Sequence, residues 1–128
     1  MKTILVFGNP LVNEDALALK IADKLSLLPE INGKFKFIKT DSLDNLEDYG
    51  EKLLILDVAT NIKKVELITD LKNLEQNKIY SMHDFDLGFN LKLLMKLRKI
   101  KSVKIIAIPL NYSEKQALIE IKEKLKSI

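Results

Sequence analysis

Residues 2–28, KTILVFGNPLVNEDALALKIADKLSLL, decide how the chain is to be read. The first six are almost uninterruptedly apolar, as a strand covered on both faces must be. Gly8, Asn9 and Pro10 then break the run, although the whole chain has only 4 glycines and 3 prolines. Behind them Asn13 offers an N-cap, and Glu14 and Asp15 fill a first turn where the helix dipole favours negative charge. Leu17, Ile21, Leu25 and Leu28 recur at helical spacing, which predicts a helix from Glu14 to about Leu28, stopped by Pro29. Strand, glycine turn and acid-opened helix make the first half of a βαβ unit.

The rest of the chain repeats the theme. KFKFIK alternates strictly and predicts a strand near a sheet edge, whereas KLLILDV is a continuous apolar run that belongs in the sheet centre. KVELIT reads as a weaker strand, and NKIYSMH as a further short one ending near His83. TDSLDNLEDYG between them is a polar connection or a short helical turn. Leucines and Phe89 set a helix from about Asp86 to Ile100, and SVKIIAI returns to an inner strand. The last helix opens at Ser113 with Gln116 three residues on, a capping-box pattern, and should bury Leu118, Ile121 and Leu125. The expected fold is α/β, a three-layer α/β/α arrangement with a mixed, mostly parallel central sheet (phosphorylase/hydrolase-like), formed by residues 1–128 as a single domain.

Composition removes several functional classes. With no cysteine among 128 residues, disulfides, thiolate zinc sites and cysteine nucleophiles are absent. The net charge of +3 comes from scattered lysines, and Arg98 is the sole arginine, so no aromatic-plus-arginine platform for nucleic acid is present. The opening apolar run is too short for a signal peptide or a spanning helix, so a cytoplasmic protein without membrane or nucleic-acid partners is expected, and a monomer. FGNPLVNEDA lacks both G-x-G-x-x-G and G-K-[ST], and its acids would repel a phosphate at the helix N-terminus. Neither G-x-S-x-G nor H-E-x-x-H occurs.

In a parallel sheet the loops leaving the carboxyl ends of the strands share one crevice. Asp15 lies beyond the first strand, Asp57 ends the apolar run of the central one, and His83 follows the proposed KIYS strand. Two carboxylates and an imidazole suit a divalent ion such as nickel, zinc or iron with open coordination positions. Simpler roles exist for each: Asp15 as a helix-dipole partner, Asp57 as a turn residue, and His83 as a structural histidine paired with Asp84 or Asp86.

With these residues in view, the opening resembles the N-terminal signature of the hydrogenase maturation endopeptidases, in which Gly, Asn, Pro and Leu precede an acidic pair, a small residue and a helix. Gly8, Asn9, Pro10, Leu11, Glu14 and Asp15 stand at that spacing. LLILDV is similar to the family's second block, SMHDFDLGFNLKLL to the block in which a histidine precedes a leucine-rich helix, and VKIIAIP with the closing helix to its last strand and helix. Val6 stands where the family has its first glycine and Ala18 where it has a later one, the Gly-Thr-x-Gly block has no counterpart around KTDSLDNLED, and VATNIKK replaces an acid-rich turn.

The resemblance implies an aspartic-type, metal-dependent endopeptidase that removes the C-terminal peptide of a nickel-iron hydrogenase large-subunit precursor after nickel insertion. It further implies Asp15, Asp57 and His83 as the catalytic and metal-contacting set, Gly8 and Asn9 as substrate-binding residues, and nickel supplied by the precursor, with no organic cofactor. Glu14, Asp84 or Asp86 would assist as a base. The missing glycine blocks motivate an alternative: a relative that binds a protein tail or a metal without cleaving.

Overall fold

The computed structural model describes residues 1–8, 13–40, 45–72 and 87–128, the side chains of 13–15 and 87 excepted. Five strands form one sheet: β1 Lys2–Phe7, β2 Phe35–Thr40, β3 Lys52–Ala59, β4 Glu66–Ile68 and β5 Ser102–Pro109. Their order is β2-β1-β3-β5-β4, parallel except for β4, which runs antiparallel to β5 at one edge. The continuous apolar run KLLILDV is the middle strand and the alternating KFKFIK the opposite edge, as their patterns require. The described helices are α1 Asn13–Ser26, α2 Leu87–Lys96 and α3 Glu114–Lys126, with a short 3-10 turn at Leu46–Tyr49.

Alternation along each strand sends side chains to two apolar clusters. Ile4, Val6, Leu54, Leu56, Ile106 and Ile108 meet α1 and α3 on one face. Leu5, Phe7, Leu53, Ile55, Val103 and Ile105 meet Leu91 of α2 and Leu46 of the 3-10 turn on the other. Three layers result. The handedness rule explains the distribution: the crossover from β1 to its parallel neighbour β2 and the one from β3 to its parallel neighbour β5 travel in opposite directions across the sheet. Right-handed connections therefore put α1 and α2 on opposite faces.

Each helix differs in detail from the sequence expectation, and α2, expected to run to about Ile100, ends at Lys96. α1 ends at Ser26, and Leu27 and Leu28 close it with tightened bonds to the carbonyls of Lys24 and Leu25 at 3.3 and 3.1 Å. Its buried stripe is Ala18, Leu19, Ile21, Ala22 and Leu25, with Leu17 and Leu28 half-buried, because alanines let the helix lie close on the sheet. In α3 the Ser113 hydroxyl accepts the Gln116 N–H at 3.3 Å, which is half of a capping box. The Gln116 side chain does not reach back to Ser113; its amide donates to Glu120 at 2.6 Å. The buried positions of α3 are Ala117, Ile121 and Leu125, and Leu118 is half-buried. The strand expected in NKIYSMH lies outside the described residues.

Candidate functional site at the carboxyl rim

From β1 the chain crosses to β2 on one side, and β3 lies on the other, so the strand order reverses between β1 and β3. At such a reversal the loops leaving the carboxyl ends diverge and open a crevice. Gly8 follows β1 directly into it and is buried. Asp57 sits beside it in β3: Leu5 pairs with Ile55 and Val6 with Leu56, and continuing that register by one residue sets Phe7 level with Asp57.

Asp57 is not a turn residue. The apolar run ends there, but the backbone ladder with β5 continues to Ala59, so the carboxylate is held two residues inside the strand. It is 2% exposed and is the only buried polar or charged side chain among the described residues. Alternation points it to the α2 face, alongside Ile55 and Ala59 and across from Ala107. Its Oδ1 accepts the Val58 N–H at 2.8 Å, a bond that offsets part of the cost of taking the carboxyl group from water. A carboxylate kept in an apolar row at the mouth of a crevice is a functional-site candidate on physical grounds.

Asp15 is the third residue of α1, so its backbone lies in the first turn, at the end of the helix that rises from the same rim. Its side chain, His83 and Asn9 lie outside what is described. Among the described residues no group of three or more His, Cys, Asp or Glu side chains is placed to hold a metal ion. The described structure thus brings Gly8, Asp57 and the start of α1 to one rim, with α1 in one layer and the Asp57 side chain facing the other.

An open groove of about 440 Å³ runs from Gly8 along α1 and the end of β2, lined by Ala16, Leu19, Lys20, Asp23, Lys39 and Thr40. A slightly larger one, about 480 Å³, lies at the opposite edge of the sheet among Lys2, Lys52, Ser102 and Lys104, where the strands begin. Of these two, the first adjoins the crevice.

Two carboxylates escaped the sequence reading. Glu66 pairs with Ala107, which pairs with Asp57, so Asp57, Ala107 and Glu66 form a row on the α2 face. Their outer members stand two strands apart, about 10 Å between backbones. The signal was the alternation of KVELIT, which puts Val65 and Glu66 on opposite faces. Glu120 of α3 ties the rim loops: Oε1 accepts the Val65 N–H at 2.9 Å, and Oε2 accepts the Tyr112 hydroxyl and the Gln116 amide, each at 2.6 Å. Burial pushes the Glu120 carboxyl up, but the hydrogen bonds from Tyr112, Gln116 and Val65 and the charge of Lys64 outweigh it, so the group sits below the usual carboxylate range. The same bond to Glu120 raises the Tyr112 hydroxyl above its ordinary value.

Solved structures share the fold. The hydrogenase maturating endopeptidase HybD from E. coli superimposes with a TM-score of 0.67 and 17% identity, over 99% of this chain and 93% of that one. The chain has the fold of the hydrogenase maturation endopeptidases. A hydrogenase 3 maturation protease matches with a TM-score of 0.65 and 17% identity, over 98% of this chain and 89% of that one. An endopeptidase from Escherichia coli, solved in solution, gives 0.60 and 19% over 99% and 93%. No family model matches the sequence, and no curated protein matches it. At such identities the likeness is one of fold. Among the described residues no helix is long and apolar enough to cross a membrane.

Proposed function

We propose that the chain is an endopeptidase that removes the C-terminal extension of a nickel-iron hydrogenase large-subunit precursor once nickel has been inserted. The observation that carries this reading is Asp57: a carboxylate 2% exposed, set in an apolar row beside the reversal point of the sheet, where the fold opens its crevice. The shared fold with the HybD hydrogenase maturating endopeptidase and the motif GNPL followed by Glu14 and Asp15 support it.

In this reading Asp57, Asp15 and His83 bind the nickel that the precursor carries, and by holding that ion they fix the adjoining peptide segment in the crevice. Gly8 and Asn9 line its passage, and the groove beside Gly8 supports a path for the extended tail. Hydrolysis adds water across the scissile bond, hydroxide to the carbonyl carbon and a proton to the leaving amine. The protein acts in the cytoplasm as a monomer.

The test is the mass of the precursor large subunit after incubation with wild-type protein or with Asp57→Asn. Loss of the extension with the first and an unchanged mass with the second is expected. Tight binding by wild-type protein with no change in mass would instead establish a non-cleaving relative.

A further inference from the structure

α2 is apolar on two opposite faces. Leu91 is fully buried against the sheet, and Leu94 is half-buried beside it. Phe89, Leu93 and Leu97 are 67%, 42% and 56% exposed. At 100° per residue, Phe89 and Leu93 stand roughly 160° from Leu91 on either side, so they point straight away from the core. A helix apolar on both faces is covered on both. Three large side chains stacked one turn apart are a patch and not scattered exposure.

The charge around the patch says what kind of surface covers it. Between Leu87 and Ser113 the sequence has no Asp or Glu, while Lys92, Lys96, Arg98 and Lys99 fall on or just after α2. Lys96, Arg98 and Lys99 are exposed, and Lys92 is half-buried. An apolar stripe whose own helix carries cations and no acid is complementary to an apolar groove bordered by carboxylates. Direction supplies the address. α2 ends near the start of β5, where the Lys101 N–H bonds to Glu51 O at 2.6 Å at the amino edge of the sheet. Its first turn therefore points back toward the carboxyl rim, and the stripe descends the outer layer from that rim on the Asp57 side.

Resting on the endopeptidase reading above, we propose that the outer face of α2 docks the folded body of the protein substrate, through an acid-bordered apolar groove on that body, while the tail enters the crevice. A membrane fits less well. Only about 12 Å of helix separates Phe89 from Leu97, and α2 is fastened to the sheet through Leu91 and Leu94, so it cannot sink into an acyl layer as longer amphipathic helices do.

The experiment measures binding and processing of the nickel-loaded large-subunit precursor by wild-type protein, F89S/L93S and K96E/R98E, with circular dichroism confirming that all three fold alike. Both variants are expected to raise Kd and KM by about tenfold or more while leaving kcat at saturation unchanged. The K96E/R98E defect should shrink at high salt, as the wild-type advantage is screened. Wild-type binding and processing by both variants would overturn the docking inference and leave the endopeptidase reading standing. Failure of the wild-type protein to bind or process the precursor would overturn both. Self-association of the wild-type protein in light scattering that F89S/L93S abolishes assigns the face to a second copy and overturns the inference. So does retention on vesicles of phosphatidylcholine and phosphatidylserine that the variants lose while precursor binding is unchanged.

Discussion

Glu120→Ala tests whether the carboxyl rim is held from behind by α3. The wild-type carboxylate accepts three hydrogen bonds, but they differ in consequence. Gln116 is exposed and Tyr112 half-buried, so both side chains can turn to water. Val65 is 1% exposed, and its N–H loses a partly buried acceptor at 2.9 Å. An unsatisfied buried donor costs about 1–3 kcal/mol. At roughly 3–6 °C per kcal/mol for a chain of this length, a cost near 2 kcal/mol lowers Tm by about 6–12 °C. The pH dependence has a fixed sign. The folded-state pKa of Glu120 is lowered, so its stabilisation is fully present above the unfolded carboxyl value and is lost as pH falls through the folded value. Glu120→Gln, which keeps an acceptor for Val65, should fall less in Tm at neutral pH and should lose less stability than wild type on acidification. Thermal melts from neutral to acid pH, with hydrogen exchange at the Val65 amide, are the assay. A Glu120→Ala melt within a degree or two of wild type, or a protected Val65 amide in that variant, would refute the reasoning.

Other outcomes follow from the same geometry. Asp57→Asn should leave the far-ultraviolet dichroism unchanged and drop precursor processing at least a hundredfold in a mass-spectrometric time course, a loss of the size expected for a group that acts only on bound substrate. Asp15→Ala and His83→Ala should each fold normally and leave the precursor uncut, which processing assays and melts together would check. Leu91→Ala, which opens a cavity under α2 at a fully buried position, should cost about 2–5 kcal/mol in urea titration. Gly33→Ala meets no atom within 4 Å but sits at φ +91°, so the same titration should show a loss of about 1–2 kcal/mol from backbone strain alone.

The layers were legible because burial on two faces leaves a different trace from burial on one. After Lys52, KLLILDV has no polar residue until Asp57 and is the middle strand; KFKFIK alternates and is an edge. What the leucine pattern could not convey is how near a helix lies. Counting large apolar residues selected Leu17 and Leu28 in α1, whereas close approach to the sheet buries Ala18 and Ala22. The same blindness hid the outer stripe of α2: leucines at helical spacing fix a helix without saying how many faces they cover. Asp57 was found by its position after an apolar run, and the expected strand KLLILDV stops one residue before the hydrogen-bond ladder does, at Ala59. Glu66 and Glu120 were invisible for a different reason. Both take their meaning from partners across the sheet or on another element, and nothing local marks them.

The position of Asp57 constrains how the proposed trio can work. Its side chain faces the α2 layer, whereas α1, which begins with Asn13, Glu14 and Asp15, packs on the other face. Between the layers the sheet is filled by Phe7, Leu56 and Ala107, each at most 1% exposed, so no ion can be shared through it. A ligand common to Asp15 and Asp57 must stand above the end of β1, where the strand stops at Phe7 and Gly8 follows. Gly8 is buried at that rim, so a larger residue there is the direct test of whether the two layers meet over it. Gly8→Val should therefore leave the buried sheet intact and abolish processing, and it should do so by raising KM for the precursor more than by lowering kcat, because what is blocked is entry.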